Sequence, residues 1–292
     1  MVSVVIATYR RDQALANALN SLTTQTYHDF EVVLVDDNAS MEWNNKVKAI
    51  VSSYETQLQI RYFQNKENIG SAKTRNKGIV ESKGEFVTFL DDDDLYLPKK
   101  IENQINQMIA ESADYSLMNL ALYYEDDTLS EIRKRDYLLS NESKNLLFYH
   151  LKYHMTGTDT MMFRKEYLMS FGGFEALDVG DEFYLMMRAI ISGGKFVYCN
   201  TCDVKAYVHT ETEGLSSGKA KIDGENRLYR FKKQYLLNLS KRDKRYIRMR
   251  HFAVLSFAYL RMKNFILFFV YGCFSFFISP KDCFILLKKR KI

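Results

Sequence analysis

Four aspartates, Asp91, Asp92, Asp93 and Asp94, follow the apolar stretch Phe86-Val87-Thr88-Phe89-Leu90 without a break. Like charges placed side by side repel, so such a run is favourable only where water solvates it or a cation neutralises it. Hard oxygen donors suit Mg²⁺ or Mn²⁺, which take one or two carboxylates and complete their shell with water and substrate phosphates. The run therefore points to a phosphorylated substrate. An EF-hand would use Asp91, Asp93 and Glu102 at its first, third and twelfth positions, but Tyr96 stands where its glycine must turn, and a strand precedes in place of a helix. No GxxxxGK[ST] is present and no GxGxxG follows the first apolar run, which removes the main support for a P-loop or a dinucleotide site.

Alternating elements must position these acids. Strand-like runs at residues 2–7, 31–35, 60–63 and 86–90 are separated by helical patterns at 12–22, 44–53 and 71–82. Strands alternating with helices predict a mostly parallel sheet covered on both faces, with ligands bound beyond the carboxyl ends of the strands. The residues at those ends are polar and mostly acidic: Thr8, Tyr9, Arg10 and Arg11, then Asp36, Asp37 and Asn38, then the four aspartates. Pro98 suits the first turn of a helix reaching about residue 109, and further helices are expected at 181–191, 221–239 and 242–261.

The charge is divided along the chain. Residues 241–292 hold thirteen Lys or Arg against Asp243 and Asp282, whereas the whole chain is only +5, so the first 240 residues are net acidic. Within the basic part, FILFFVYGCFSFFIS at residues 265–279 is nearly free of charge but shorter than the roughly 20 residues a spanning helix needs. With basic flanks at Arg261, Lys263, Lys281 and 288–291, it is expected to lie in the interface of an anionic membrane. Met1 leads directly into a strand with no basic n-region, so a cytoplasmic protein, peripheral at the inner face of the membrane, is expected. Cys199 and Cys202 form a CxxC without the second ligand pair that a structural zinc site requires.

Five strings in order resemble the family 2 inverting glycosyltransferases of GT-A fold: VSVVIATYRR (2–11), VLVDDNAS (33–40), ENIGSAKTRNKGI (67–79), GEFVTFLDDDDLYLP (84–98) and GGFEALDVGDEFYLMMRA (172–189). His209 with GLS at 214–216 is similar to the closing loop of that family. The resemblance covers about residues 1–220, read as the catalytic domain, and leaves 221–292 as a helical extension. It implies a nucleotide-sugar donor, most simply UDP-linked, with Thr8, Tyr9 and Arg11 at the donor pocket and Asp37, beside Asp36, accepting the base N–H. It also implies Arg75, with Lys73 as neighbour, near the diphosphate. In the DxD motif it implies Asp93 as ligand of Mn²⁺ or Mg²⁺, and Asp91 or Asp92 facing the ribose or the water shell of the metal. Asp94 is expected to begin the next helix.

The late motif implies a catalytic base at Glu182, where the family usually carries aspartate, with Asp181 as the alternative; His209 is implied at the metal or diphosphate. The acceptor would be a hydroxyl of a glycan or lipid-linked glycan, Thr156-Gly157-Thr158-Asp159 a possible acceptor-side loop, and cell-surface polysaccharide the product. Two other classes fit less of the chain. A nucleotidyltransferase should carry a glycine-rich, basic phosphate loop near the first strand, and a nucleic-acid-binding module would leave the acids unexplained, so no nucleic-acid partner is expected.

Overall fold

A computed structural model describes residues 1–177, 179–208 and 218–289. The chain divides into two compact units: Met1–Leu147, Met155–Ala176 and Asp181–His209 form one, and Phe148–His154, Leu177–Gly180 and Thr210–Ile292 the other.

In the first unit β1 (Val2–Thr8), α1 (Gln13–Thr23), β2 (Phe30–Asp36), α2 (Met41–Tyr54), β3 (Ile60–Gln64), α3 (Ser71–Glu81) and β4 (Phe86–Phe89) alternate as the apolar runs predict. Then come β5 (Leu95–Tyr96), α4 (Lys100–Ala110), β6 (Tyr115–Met118), β7 (Leu120–Tyr123), β8 (Leu129–Arg133) and α5 (Ser143–Tyr153), which runs on into the second unit. The remaining elements are β9 (Met161–Arg164), α6 (Lys165–Ser170), α7 (Asp181–Ile191), β10 (Phe196–Cys199) and β11 (Val204–Tyr207).

The seven-stranded sheet has the order β10-β6-β9-β4-β1-β2-β3, and a four-stranded sheet has the order β5-β11-β7-β8. β1 pairs in parallel with β2 on one side and β4 on the other, whereas β9 is antiparallel to both β4 and β6. Strand order therefore reverses at β1. Loops leaving β1 and β4 diverge there and open a crevice at the carboxyl ends of the strands, which brings Thr8 and the four aspartates together.

Burial holds this frame. α1 places Leu15, Ala18, Leu19 and Leu22 at helical spacing against Val4, Ile6, Val32 and Leu34 of the sheet, all buried. Each such leucine contributes about 1.5–3 kcal/mol. On α3, a Cβ at Gly78 would lie 2.4 Å from a methyl of Val5, so only glycine lets this helix approach β1.

Two expectations need correction. Asp94 does not begin a helix: β5 intervenes, because Tyr96 is buried and pairs opposite Val204, and α4 starts only at Lys100, two residues after Pro98. In the second unit α8 (Gly218–Lys233) ends before residue 239 and gives way to a 3-10 turn at Leu236–Asn238. α9 (Lys241–Arg261) follows, capped by Ser240, whose Oγ accepts from Asp243 N at 3.1 Å. The apolar run forms α10 (Phe265–Ile278), and the residues beyond it form a further helix, α11 (Pro280–Lys289).

Candidate active site

The crevice is assembled around the residues that leave β1 and β4. Thr8 Oγ1 donates to Asp92 Oδ2 at 2.7 Å, and Tyr9 N donates to the same oxygen at 3.2 Å. Asp92 thus ties the two strand ends together. Its carboxyl is pushed up to about 7 by burial and by the charge of Asp93. Arg11 Nη2 donates to Asp93 Oδ2 at 2.9 Å, so the exposed end of the acidic run carries a partly exposed cation. Arg10, not singled out from sequence beyond its place at the strand end, has φ 52°, donates its N–H to Asn38 Oδ1 at 2.6 Å, and lays its guanidinium 5.2 Å from the ring of Tyr9. Tyr9 is 43% exposed, which leaves an aromatic face available for stacking.

Asp36 and Asp37 are both buried. Asp36 accepts from Tyr62 OH at 2.6 Å and from the N–H and side-chain amide of Asn38. Asp37 accepts from Asn65 Nδ2 and Ile69 N through Oδ1 and from Gly70 N through Oδ2, each within 2.9 Å. Its carboxylate holds the turn that enters α3, where Gly70 takes φ 82°. Lys73 lies on the exposed face of that helix.

Arg75, one turn further on, reaches back into the crevice. Its Nη2 donates to Asp91 Oδ1 at 2.6 Å and its Nη1 to Asp181 Oδ2 at 3.2 Å, while Phe174 lies 5.4 Å from the guanidinium. Burial acts against the charged form, but Asp91 and Asp181 outweigh it and hold the guanidinium above its ordinary range. The resemblance implies Arg75 near a diphosphate; here the side chain bridges two carboxylates from β4 and α7.

Asp181 and Glu182 open α7, where the helix dipole favours acids. The Asp181 carboxyl is pushed up to about 6 by burial, with Arg75 opposing and Glu182 adding to the rise. Glu182 Oε2 accepts from Gly157 N at 2.7 Å. Its Oε1 takes no hydrogen bond among the described residues and is the more available oxygen of the pair.

Sequence reading missed the role of Asp159, placing it in an acceptor-side loop. The segment after Gly157 turns as a 3-10 helix and sends Asp159, almost fully buried, under the acidic run, where its Oδ1 accepts from Asp91 N at 2.6 Å. Asp94 accepts from Tyr207 N at 2.9 Å. Carboxyl oxygens of Asp91, Asp94 and Asp159 lie within 4.8 Å of one another. Burial, together with Asp91, pushes Asp159 up to about 7, and burial with Asp159 raises Asp94. A lone Asp in TGTDT carries no local signal of this; only the antiparallel return of β9 beside β4 delivers it. His209 lies outside the described residues.

Seven carboxyl groups, from Asp91, Asp92, Asp93, Asp94, Asp159, Asp181 and Glu182, thus gather here with two cations, Arg11 paired with Asp92 and Asp93 and Arg75 with Asp91 and Asp181. That donor set is hard oxygen in excess over positive charge, and it fits a divalent cation.

The crevice lies at the switch point of a mostly parallel sheet, where α/β folds bind their ligands. The chain belongs to the family described as "Glycosyl transferase family 2", whose profile matches residues 3–172. It is 29% identical over 201 residues to an uncharacterised glycosyltransferase of Methanocaldococcus jannaschii, covering 67% of each chain. It is also 28% identical over 119 residues to the Escherichia coli UDP-Glc:alpha-D-GlcNAc-diphosphoundecaprenol beta-1,3-glucosyltransferase WfgD, covering 41% of this chain and 45% of that protein. With most of the first relatives the match spans less than half of their length. In structure it is similar to Staphylococcus aureus TarS 1–349 in complex with UDP-GlcNAc, with a TM-score of 0.64, 17% identity, and coverage of 96% of this chain and 92% of that one. The mannosyltransferase PcManGT of Pyrobaculum calidifontis, in complex with GDP-Man and Mn²⁺, gives a TM-score of 0.60 at 15% identity, covering 99% and 83%.

Proposed function

We propose that the protein transfers a sugar, with inversion, from a UDP-sugar to a hydroxyl of a glycan or lipid-linked glycan in the synthesis of a cell-surface polysaccharide. The observation that carries this reading is the bridge of Arg75 between Asp91, at the donor-side strand end, and Asp181, beside Glu182. It couples a diphosphate crevice to a carboxylate pair on one rigid helix start. The E. coli relative and TarS, both named with UDP-sugars, support the uridine donor.

In the reaction the acceptor oxygen forms a bond to the anomeric carbon as the bond from that carbon to the diphosphate breaks and the diphosphate leaves with the electron pair. Glu182 takes the acceptor proton on Oε1, its other oxygen being fixed by Gly157 N–H. Tyr9 stacks on the base, Asp37 acts on the nucleotide through the turn it holds, and Thr8 and Arg11 set Asp92 and Asp93. Asp93 would hold Mn²⁺ or Mg²⁺, which supplies positive charge for the leaving diphosphate. Asp91, Asp94 and Asp159 form a second oxygen set, which we assign to fixing the loop, because Asp159 and Asp94 accept from backbone N–H groups and Asp91 from the buried Arg75, whereas the Arg11 partner of Asp93 is partly exposed. Residues 1–220 act as the catalytic domain. Residues 241–292 hold the enzyme on the inner face of an anionic membrane, where lipid-linked acceptors reside.

Transfer and UDP release by purified protein, with donors screened in the presence of Mn²⁺, test the reading. Glu182→Gln should lower kcat by about 10²–10⁴ while donor affinity is kept. If Asp181→Asn alone abolishes turnover, the base is Asp181; full activity in Asp93→Ala would remove the metal assignment.

A further inference from the structure

In the second unit α10 is apolar on both faces and packs by the side that carries its small and polar residues. On α10 the small and polar residues face inward: Ser275 Oγ donates to Met249 O of α9 at 3.0 Å, Ser256 Oγ of α9 donates to Phe268 O at 2.8 Å, and Tyr271 stacks on Tyr259 at 5.3 Å. The outward face is Phe265, Ile266, Phe269, Val270, Phe274 and Phe277, with Ile266 and Phe277 each 78% exposed. Phe284 and Ile285 of α11 are exposed as well. A water-facing surface of this composition marks a contact site. At 1.5 Å per residue α10 spans about 21 Å, short of the ~30 Å hydrocarbon core. No helix among the described residues is long and apolar enough to cross a membrane.

Beside the far end of α10 lies a cavity of ≈ 430 Å³, lined by Ile278, Tyr229, Leu236, Lys244, Arg245 and Arg248. Three cations stand on an apolar wall, and no carboxylate is among the described residues that line it. Tyr229 also borders a second cavity, ≈ 580 Å³, to which Arg227, Arg230 and Lys233 contribute against the carboxylate of Asp223. Positive charge is therefore gathered on α8 and α9, and Ile278 joins it to the helix whose other face is bare hydrocarbon.

We propose that this unit is a phospholipid-docking module in which the outer face of α10 and α11 enters the acyl region while Lys244, Arg245 and Arg248 take the phosphate of an anionic lipid against Tyr229, Leu236 and Ile278. Charge complementarity alone would also suit nucleic acid; the apolar wall and the adjoining apolar face select a lipid. The inference rests on the membrane association proposed above and names its ligand.

Full-length protein is sedimented with phosphatidylcholine vesicles and with vesicles that also contain phosphatidylglycerol. Wild type should bind both, the second more tightly. Ile266→Ser/Phe269→Ser/Phe277→Ser should lose binding to both. Lys244→Gln/Arg245→Gln/Arg248→Gln should weaken only the anionic vesicles, by about a hundredfold for three cations, with binding to neutral vesicles kept as the control for folding. Free inorganic phosphate should not release the protein. If wild type binds no vesicle, the membrane reading fails and the site with it. If both vesicles bind alike and the glutamine variant changes nothing, only the lipid site is overturned. Release by phosphate, oligonucleotide binding that the glutamine variant loses, or a dimer that the serine variant dissociates in the absence of vesicle binding, would each overturn it too.

Discussion

Arg75→Met is the sharpest test of the bridge between the acidic run and α7. The guanidinium is 12% exposed and lies 2.6 Å from Asp91 and 3.2 Å from Asp181, whose side chain is 14% exposed. Methionine keeps much of the volume against Phe174 but leaves the carboxylates without their cation. Removing one partner of a buried pair costs about 3–5 kcal/mol, because the remaining charge stays desolvated. At about 2–4 °C per kcal/mol for a unit of this size, melting should fall by at least about 6 °C. Adding Asp181→Asn to Arg75→Met should restore part of the loss, since the neutral amide no longer needs the cation, and the double-mutant cycle should show a coupling of about 1 kcal/mol or more. Urea unfolding followed by a probe in the first unit is the appropriate assay. A loss below about 1 kcal/mol in Arg75→Met, or strict additivity with Asp181→Asn, would refute the claim that the bridge holds the two halves of the site together.

Further outcomes follow from other buried groups. Lys100 is fully buried against Thr88 and Tyr96 and its ammonium is pushed down to about 7 by burial. Between that value and the ordinary ~10.4 the unfolded chain binds a proton that the folded chain does not, so this residue makes stability rise with pH across that window, by at most about 1.4 kcal/mol per pH unit. Below about pH 7 both states are charged and the slope vanishes; denaturation at pH 7.5 and 9.5 should show it in wild type and not in Lys100→Met. At Gly173, φ is 64° and a Cβ would lie 2.5 Å from Asn76 Oδ1, which accepts from Phe174 N. Gly173→Ala should therefore cost about 1–3 kcal/mol. Gly70→Ala, at φ 82° with open space around the Cβ, should cost less, and equal melting losses would deny the contact at Asn76.

How far such a site can be read from sequence depends on whether its cause is local. β1, β2 and β4 are largely apolar runs that stop at polar residues, because strands buried on both faces need mostly apolar side chains, and the polar ones inside them, Ser3, Glu31 and Thr88, are hydrogen-bonded. The place of the acids at the strand ends was therefore legible in the pattern of apolar runs. Asp159 was not, because β9 is four residues, Met161–Arg164, and nothing in MMFR states that it runs antiparallel between β4 and β6. Asp94 misled for a similar reason. An acid shortly before a proline is a reasonable helix start, yet Tyr96 is drawn into the core and pairs with β11, which postpones the helix and turns Asp94 toward Tyr207. In the second unit, α10 is apolar on both faces, so hydrophobicity could not say which side packs. Ser275 and Gly272 mark the inner side: the first reaches a carbonyl of α9, and a Cβ at the second would lie 3.4 Å from Ser256 Oγ. Small residues decide the orientation because they let the backbones approach, and that leaves the large side chains outside, where water alone gives them no reason to be.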